Sequence, residues 1–393
     1  SRLVSVLGKG ALKNDYSLEF DGSNDYVDTG DSFDSILTDS FTISAWVKLD
    51  DGNPSANQYI FGTQKYDNYT GYVWIRIATN GNINFKHGTA TAKEFTADAS
   101  TNAFSDGATE WSHIVCVLSK ASDTTGTMTV YKDGTSVGAS SSPGAGWNTG
   151  NYTNTLNAYI GASNITGTAS NHLAGLIDEV SIWDTALSTG DISALYEAKG
   201  TSDLNDDENS ANLKVWWRMG DGVLDSYPLI ADQVNPTLGS DMVTNGGFAS
   251  DTTGWTAVRG TLSSVSGGQS GNCLSVSRDS GSDQSGYQEV TAVVGKTYKL
   301  TAWVKSGTSG ADTFHVQLAT GSDYERSEGT SSDTWSQYST IFTATATAMF
   351  VTLRKSSSAS GSMLFDTAIL KEVQGTPGLM TNMTASDIVK DTP

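Results

Sequence analysis

A chain of 393 residues has room for two or three domains, and 37% hydrophobic residues with 10 Trp, 15 Tyr and 12 Phe supply real cores rather than disorder. The net charge of −20 argues against a basic nucleic-acid surface and against an anionic membrane, and fits a soluble extracellular or virion surface. Gly is abundant at 41 and Pro scarce at 6, the composition of many strands joined by tight turns.

Alternation of apolar and polar residues predicts strands through the first half: Y-S-L-E-F at 16–20, F-T-I-S-A-W-V-K-L at 41–49, Y-V-W-I-R-I-A at 72–78, N-I-N-F-K at 82–86, W-S-H-I-V-C-V-L at 111–118, M-T-V-Y-K at 128–132 and N-A-Y-I-G-A at 157–162. T-N-G-N at 79–82 and K-D-G-T at 132–135 are turn signals, the second an Asp-Gly hairpin with positive φ at both central positions. A short helix is expected after Trp183, capped by Ser188, with Ile192, Leu195 and Tyr196 on one face. Residues 201–240 open on an acidic stretch and read as a linker. That linker carries L-K-V-W-W-R-M-G-D-G at 213–222, expected either as an added strand on the first domain or as an inter-domain contact. Further strands follow at 273–277, 287–290, 298–305, 314–319, 335–344 and 349–354. T-I-S-A-W-V-K at 42–48 and L-T-A-W-V-K at 300–305 repeat one role, read as a central strand with an inward Trp. The last residues, 376–393, show little periodicity and are expected as an extended tail.

Cys116 and Cys273 sit in strand-like runs of different halves and read as two buried free thiols. No segment approaches the roughly 18 apolar residues of a membrane helix. The chain begins at Ser1 without a signal peptide, which reads as a processed or excised N-terminus.

F-D-G-S-N-D-Y-V-D-T-G at 20–30 and G-L-I-D-E-V-S-I-W-D-T-A-L-S at 175–188 resemble the first and last strands of a laminin-G/concanavalin A-like lectin domain. The N-G-x-F…W opening at 245–255 and the L-F-D-T-A closing strand at 364–368 resemble the family 4/9/22 carbohydrate-binding modules. P-L-I-A-D-Q-V-N-P-T-L-G-S-D-M-V-T-N-G-G-F at 228–248 and G-L-M-T-N-M-T-A-S-D-I-V at 378–389 resemble structural proteins of marine tailed phages. These resemblances imply an all-β chain of two antiparallel β-sandwich, jelly-roll domains: a lectin-like sandwich over 1–200, a linker over 201–240, a second sandwich over 241–375 and a tail. They imply non-catalytic glycan binding and assembly, as a surface-exposed virion component (fibre, tail or capsid decoration) contacting host-surface carbohydrate. Its partners would be glycans, other virion proteins and further copies of itself. A secreted bacterial adhesin or filament subunit, the accessory region of a glycan-degrading enzyme and a purely architectural role stay open.

Glycoside hydrolases of the concanavalin A-like fold need paired carboxylates, set on one strand as E-x-D-x-x-E, and no such string is present. The nearest approach, Asp178 and Glu179, is expected on opposite faces of its strand. Four His without H-E-x-x-H give no zinc site.

The lectin resemblance implies Ca²⁺ held by Asp21, Asp25, Asp28 and Asp178, and the module resemblance a second ion at Asn245 and Asp366. The same residues read equally as turn and loop hydrogen-bond acceptors. Candidate sugar platforms are Tyr66, Tyr69 and Tyr72, then Trp147 and Tyr152, and in the second half Tyr287, Tyr324 and Trp335, with Glu325 and Arg326 beside them. Each is otherwise a loop anchor or an oligomer contact.

Overall fold

The structure is a computed structural model that describes residues 12–63, 71–90, 93–99, 103–234, 236–279, 281 and 283–393. Its alternating runs become antiparallel strands, sorted into two units. One unit holds the described residues up to Pro236 together with Gly375–Pro393; the other is Thr237–Gln374.

In the first unit Phe41–Leu49 shows how the sequence builds the sandwich. Phe41, Ile43, Ala45, Val47 and Leu49 point into the core between two large sheets. Thr42, Ser44 and Trp46, on the other side, are also buried. The helix Thr189–Ala198 covers them, with Tyr196 stacked on Trp46 at 5.7 Å. Ser188 and Asp191 form the capping box that starts this helix, as the sequence predicts. One sheet runs Thr135–Ser140, Thr125–Lys132, Ser112–Ser122, Phe41–Leu49, Ala174–Trp183, Ser17–Asp21. The facing sheet includes Tyr26–Asp28, Tyr159–Ile160, Gln58–Thr63, Tyr72–Ile77, Ile83–Ala90 and Lys93–Asp98. Asp133 and Gly134 close the expected hairpin with φ of 52° and 75°.

Two expectations need correction. Residues 201–236 are no linker, although the added strand expected at 213–222 is present on the first unit. Leu213–Trp217 pairs with Ala174–Trp183 and buries both Trp216 and Trp217, which a free linker could not do. Nor is 376–393 an extended tail. Gly378–Thr381 lies between Tyr26–Asp28 and Leu229–Ile230, and Ile388–Val389 pairs with Ser17–Asp21. The second unit is thus inserted, in chain order, between segments of the first.

The second unit is a sandwich of two five-stranded sheets. One runs Thr256–Val258, Gln284–Thr291, Ala348–Lys355, Thr313–Thr320, Asp323–Thr330; the other Gly260–Ser266, Asn272–Arg278, Ser362–Glu372, Thr297–Ser306, Ser336–Thr343. Leu300, Ala302 and Val304 enter its core with Phe314, Val316, Met349, Val351 and Leu353. The shared A-W-V phrase therefore places Ala and Val inward in both units, while Trp46 and Trp303 take the opposite face by the period of two. Cys116 and Cys273 are free and buried.

Buried acids give the first unit a characteristic pH response. Burial pushes Asp225 and Asp232 up to about 6, against three backbone N–H bonds each. Burial likewise raises Asp25, Asp28, Asp178 and Glu179, with Arg218 opposing the last. Each holds its proton to higher pH folded than unfolded, so its support is complete below the ordinary carboxylate range, about pH 4, and falls away as pH rises, for Asp225 and Asp232 through about 6. His87 and His113, driven down to about 4 by burial, act oppositely over the same window but are outnumbered. Acids with lowered values, such as Asp391, titrate below it. Denaturant unfolding of this unit should give a lower midpoint at about pH 6.5 than at about pH 4.5. A higher one would mean that the histidines dominate.

Candidate functional site

The solvent face of the second unit's first sheet is ordered by strand register into three rows. Val258, Ser285, Arg354, His315 and Glu328 lie in one; Thr256, Tyr287, Thr352, Gln317 and Arg326 in the next; Glu289, Phe350, Ala319 and Tyr324 in the third. Their strand neighbours Val290, Met349, Val351, Leu353, Val316 and Leu318 face the core, so the alternation that builds the sandwich also builds this face.

Part of it is a groove of about 390 Å³ lined by Val258, Arg259, Asp283, Ser285, Tyr287, Phe350, Thr352 and Arg354. That volume falls at the small end of ligand sites, which span about 300–1,000 Å³. Tyr287 and Phe350 meet edge to face, centroids 5.9 Å apart, and supply its apolar surface. Around them lie hydroxyls from Ser285 and Thr352 and charges from Arg259, Arg354 and Asp283. Arg354 Nη1 is 3.6 Å from Asp283 Oδ1. Farther along the face Arg326 Nε donates to Glu328 at 2.6 Å and its guanidinium lies 5.4 Å from the Tyr324 ring. An aromatic patch ringed by hydroxyl and charged groups can pack a C–H-rich ring face and bond its hydroxyls.

Of the sequence candidates, Tyr287 and Tyr324 are on this face, with Arg326; Tyr324 is 51% exposed. Glu325 alternates to the other side of its strand. Trp335 is not on it: its Nε1 donates to the Gly267 carbonyl at 3.3 Å, ahead of a strand of the opposite sheet. Tyr66 and Tyr69 lie outside the described residues.

Tyr72, Trp147 and Tyr152 are anchors rather than platforms, at 3%, 1% and 2% exposure. Tyr72 donates its hydroxyl to Glu94 and packs with Tyr59 and Trp74. Trp147 Nε1 donates to His87 Nδ1 at 3.0 Å, while His87 Nε2 donates to the Leu37 carbonyl and Tyr152 stacks on the ring. That pattern fixes His87 as neutral imidazole. The Tyr72 hydroxyl and the Trp147 indole N–H find partners inside, and all three rings are packed away from water, which is why aromatic content misled there.

The acids proposed for calcium do not assemble. Asp21 accepts the Ser23 and Asn24 amides, and Asp25 the Asp21 amide. Asp28 accepts Gly30 N–H and Asn157 Nδ2. Asp178 sits in another part of the sheet, accepting Asn14 Nδ2 and the Glu179 amide. In the second unit Asn245 Nδ2 donates to Asp251 and Thr253, whereas Asp366 accepts the Gln269, Ser270 and Thr367 amides. Among the described residues no three His, Cys, Asp or Glu side chains come together as a metal needs.

Asp178 and Glu179 do not form a solvent-facing acid pair either. A bulge between Asp178 and Ser181 breaks the alternation, and both carboxyls are buried. Arg218 Nε and Trp216 Nε1 donate to Glu179 at 2.8 and 2.6 Å. The adjoining cavity, where Ser44 Oγ and His113 Nε2 lie 2.7 Å apart, holds about 20 Å³, room for one water and no sugar.

Residues 21–193 match the family described as the concanavalin A-like lectin/glucanases superfamily. No curated protein matches the chain. Among solved structures the chain is similar to the Ruminococcus gnavus IT-sialidase CBM40 bound to alpha2,3 sialyllactose, at 15% identity and a TM-score of 0.38, covering 48% of this chain and 100% of that one. It is also similar to the CBM22-1 xylan-binding domain of Paenibacillus barcinonensis Xyn10C, at 15% identity, 35% and 97% coverage and a TM-score of 0.30. A third is the enzymatically active domain of bacteriophage CBA120 tailspike protein 4, at 15% identity, 34% and 21% coverage and a TM-score of 0.30. No helix among the described residues is long and apolar enough to cross a membrane.

Phe350, Thr352, Arg354 and Ser285 escaped the sequence reading although their signal was present. In M-F-V-T-L-R the inward Met349, Val351 and Leu353 oblige the other three residues to face out. Arg259 carried no such signal; it follows a three-residue strand at a φ of 54°.

Proposed function

We propose that the protein is a non-catalytic glycan-binding and structural protein whose sugar packs on Tyr287 and Phe350 in the groove of the second unit. The observation that carries this reading is the groove itself, where an aromatic pair lies among hydroxyl and charged groups on a sheet face facing water. The family match over 21–193, in the first unit, supports glycan binding by the chain but not its placement in this groove. In its full form the chain is a surface component of a virion, a fibre, tail or capsid decoration. It touches host-surface carbohydrate outside the cell, contacts other virion proteins and assembles as a homo-oligomer. The phrases at 228–248 and 378–389 that resemble phage structural proteins support that placement.

A glycan array probed with the full chain, with and without EDTA, tests the reading. Binding to a defined glycan class is expected in both conditions, because the groove needs no metal. Tyr287→Ala should weaken binding about tenfold or more, as truncation of a central aromatic contact does. No bound glycan in either condition would leave only an architectural role.

A further inference from the structure

We infer that the saccharide taken by this groove is anionic, with carboxylate or sulfate oxygens set against Arg259 and Arg354. The inference rests on the glycan-binding reading of the groove and adds the class of sugar.

The charges on the face are unequally satisfied. Arg326 is held by Glu328 at 2.6 Å. His315 lies 3.3 Å from the same carboxylate, and burial together with Arg326 and Arg354 keeps its pKa below the ordinary value. It adds no standing positive charge at neutral pH. Inside the groove two guanidinium groups face one carboxylate, Asp283. The 3.6 Å separation of Arg354 from Asp283 is too long for a hydrogen bond. Arg354 Nε is buried and has no hydrogen-bond partner. Arg259 is exposed and makes no ion pair among the described residues.

This surplus of positive charge stands out in a chain with 43 acidic and 23 basic residues. A neutral sugar could pack on Tyr287 and Phe350 but would leave the guanidinium charge uncompensated. A carboxylate or sulfate answers it with planar, charge-assisted hydrogen bonds of the kind arginine makes best. An acidic polymer approaching a chain of charge −20 is otherwise repelled, so binding must be local to such a site.

The test uses the full chain and two backbone-matched pairs of polymers that differ in charge: polygalacturonate against its methyl ester, and dextran sulfate against dextran. Affinities are read by calorimetry at low and raised salt. The acidic member of at least one pair should bind at least about tenfold tighter than its neutral partner and weaken as salt screens the contact. Which pair shows the effect separates carboxylate from sulfate. Arg259→Ala, at an exposed position with little risk to folding, should lose about 10- to 100-fold of that affinity, and Arg354→Gln a comparable factor. Equal binding of charged and neutral polymers, or full affinity in both arginine variants, overturns the inference while a Tyr287→Ala loss keeps the glycan-binding reading. If no polymer and no array glycan binds, both fall.

Discussion

Deleting residues 375–393 should strip the first unit of most of its stability and leave the second unit's unfolding transition where it is. Gly378–Thr381 lies inside a sheet, bonded to Tyr26–Asp28 on one side and Leu229–Ile230 on the other. Its loss opens both edges and exposes unpaired backbone. Met380 and Met383, 5% and 4% exposed in the intact chain, leave the core. Truncating a buried Met costs about 2–5 kcal/mol, so two of them consume much of the ~5–15 kcal/mol that holds a domain together. Polar anchors go as well. Trp217 Nε1 loses the Thr376 carbonyl at 2.9 Å, and Asp391 no longer accepts from Lys48 at 2.6 Å and Trp111 at 2.9 Å. Calorimetry of the truncated chain should show the second unit's transition alone or beside a strongly lowered first one. An unchanged first transition would mean that the C-terminal strands merely decorate a sandwich that closes without them.

That dependence was the least legible part of the fold. Phe41–Leu49 spans nine residues and shows its period plainly, as does Thr297–Ser306. Gly378–Thr381 and Ile388–Val389 have four and two residues, too few for a period to emerge. They are strands because partners laid down some 350 residues earlier offer them an edge. The acidic opening of 201–240 suggested a linker, but the adjacent Trp216 and Trp217 demanded burial and made the added strand at 213–222 legible. At the site, Tyr287 was readable as an outward aromatic on a strand and Tyr324 as an aromatic beside charged residues, while Trp147 and Tyr152 looked equally suitable in a polar loop. What separates them is the partner: His87, sixty residues from Trp147 in the chain, accepts a hydrogen bond from the indole N–H and stacks on the tyrosine. No local pattern announces such a pairing. The acids named for calcium bear out how little a local acidic pattern fixes on its own. Short acidic side chains close turns on their own backbone amides as readily as they ligate, and here they close turns.

Replacing Lys355 with Ala should destabilise the second unit by about 3–5 kcal/mol, the cost of leaving one charge of a buried pair without the other. Lys355 ends a core strand with its ammonium fully buried, 3.0 Å from Asp312 Oδ2, whose side chain is 4% exposed. The ammonium also donates to the Ala359 carbonyl at 2.7 Å and Ser357 Oγ at 3.1 Å, tying the loop after the strand to its end. Burial alone would raise the Asp312 carboxyl, but bonds from Ser357 and Lys355 outweigh it and hold the group below its ordinary value. Its support is therefore present above the usual carboxylate range and is lost as pH falls through it. In Lys355→Ala the carboxylate has no cation and must either stay buried and charged or take up a proton, so the variant should regain part of its deficit as pH is lowered toward 4 (roughly, by the ordinary carboxylate value). The double variant Lys355→Met with Asp312→Leu removes both charges and keeps the volume, and is expected within about 1 kcal/mol of the parent, since an apolar substitute for a buried pair is often neutral. Denaturant titration of the three proteins decides it. If Lys355→Ala costs no more than the double variant, the pair is a bystander and packing alone holds that end of the sandwich.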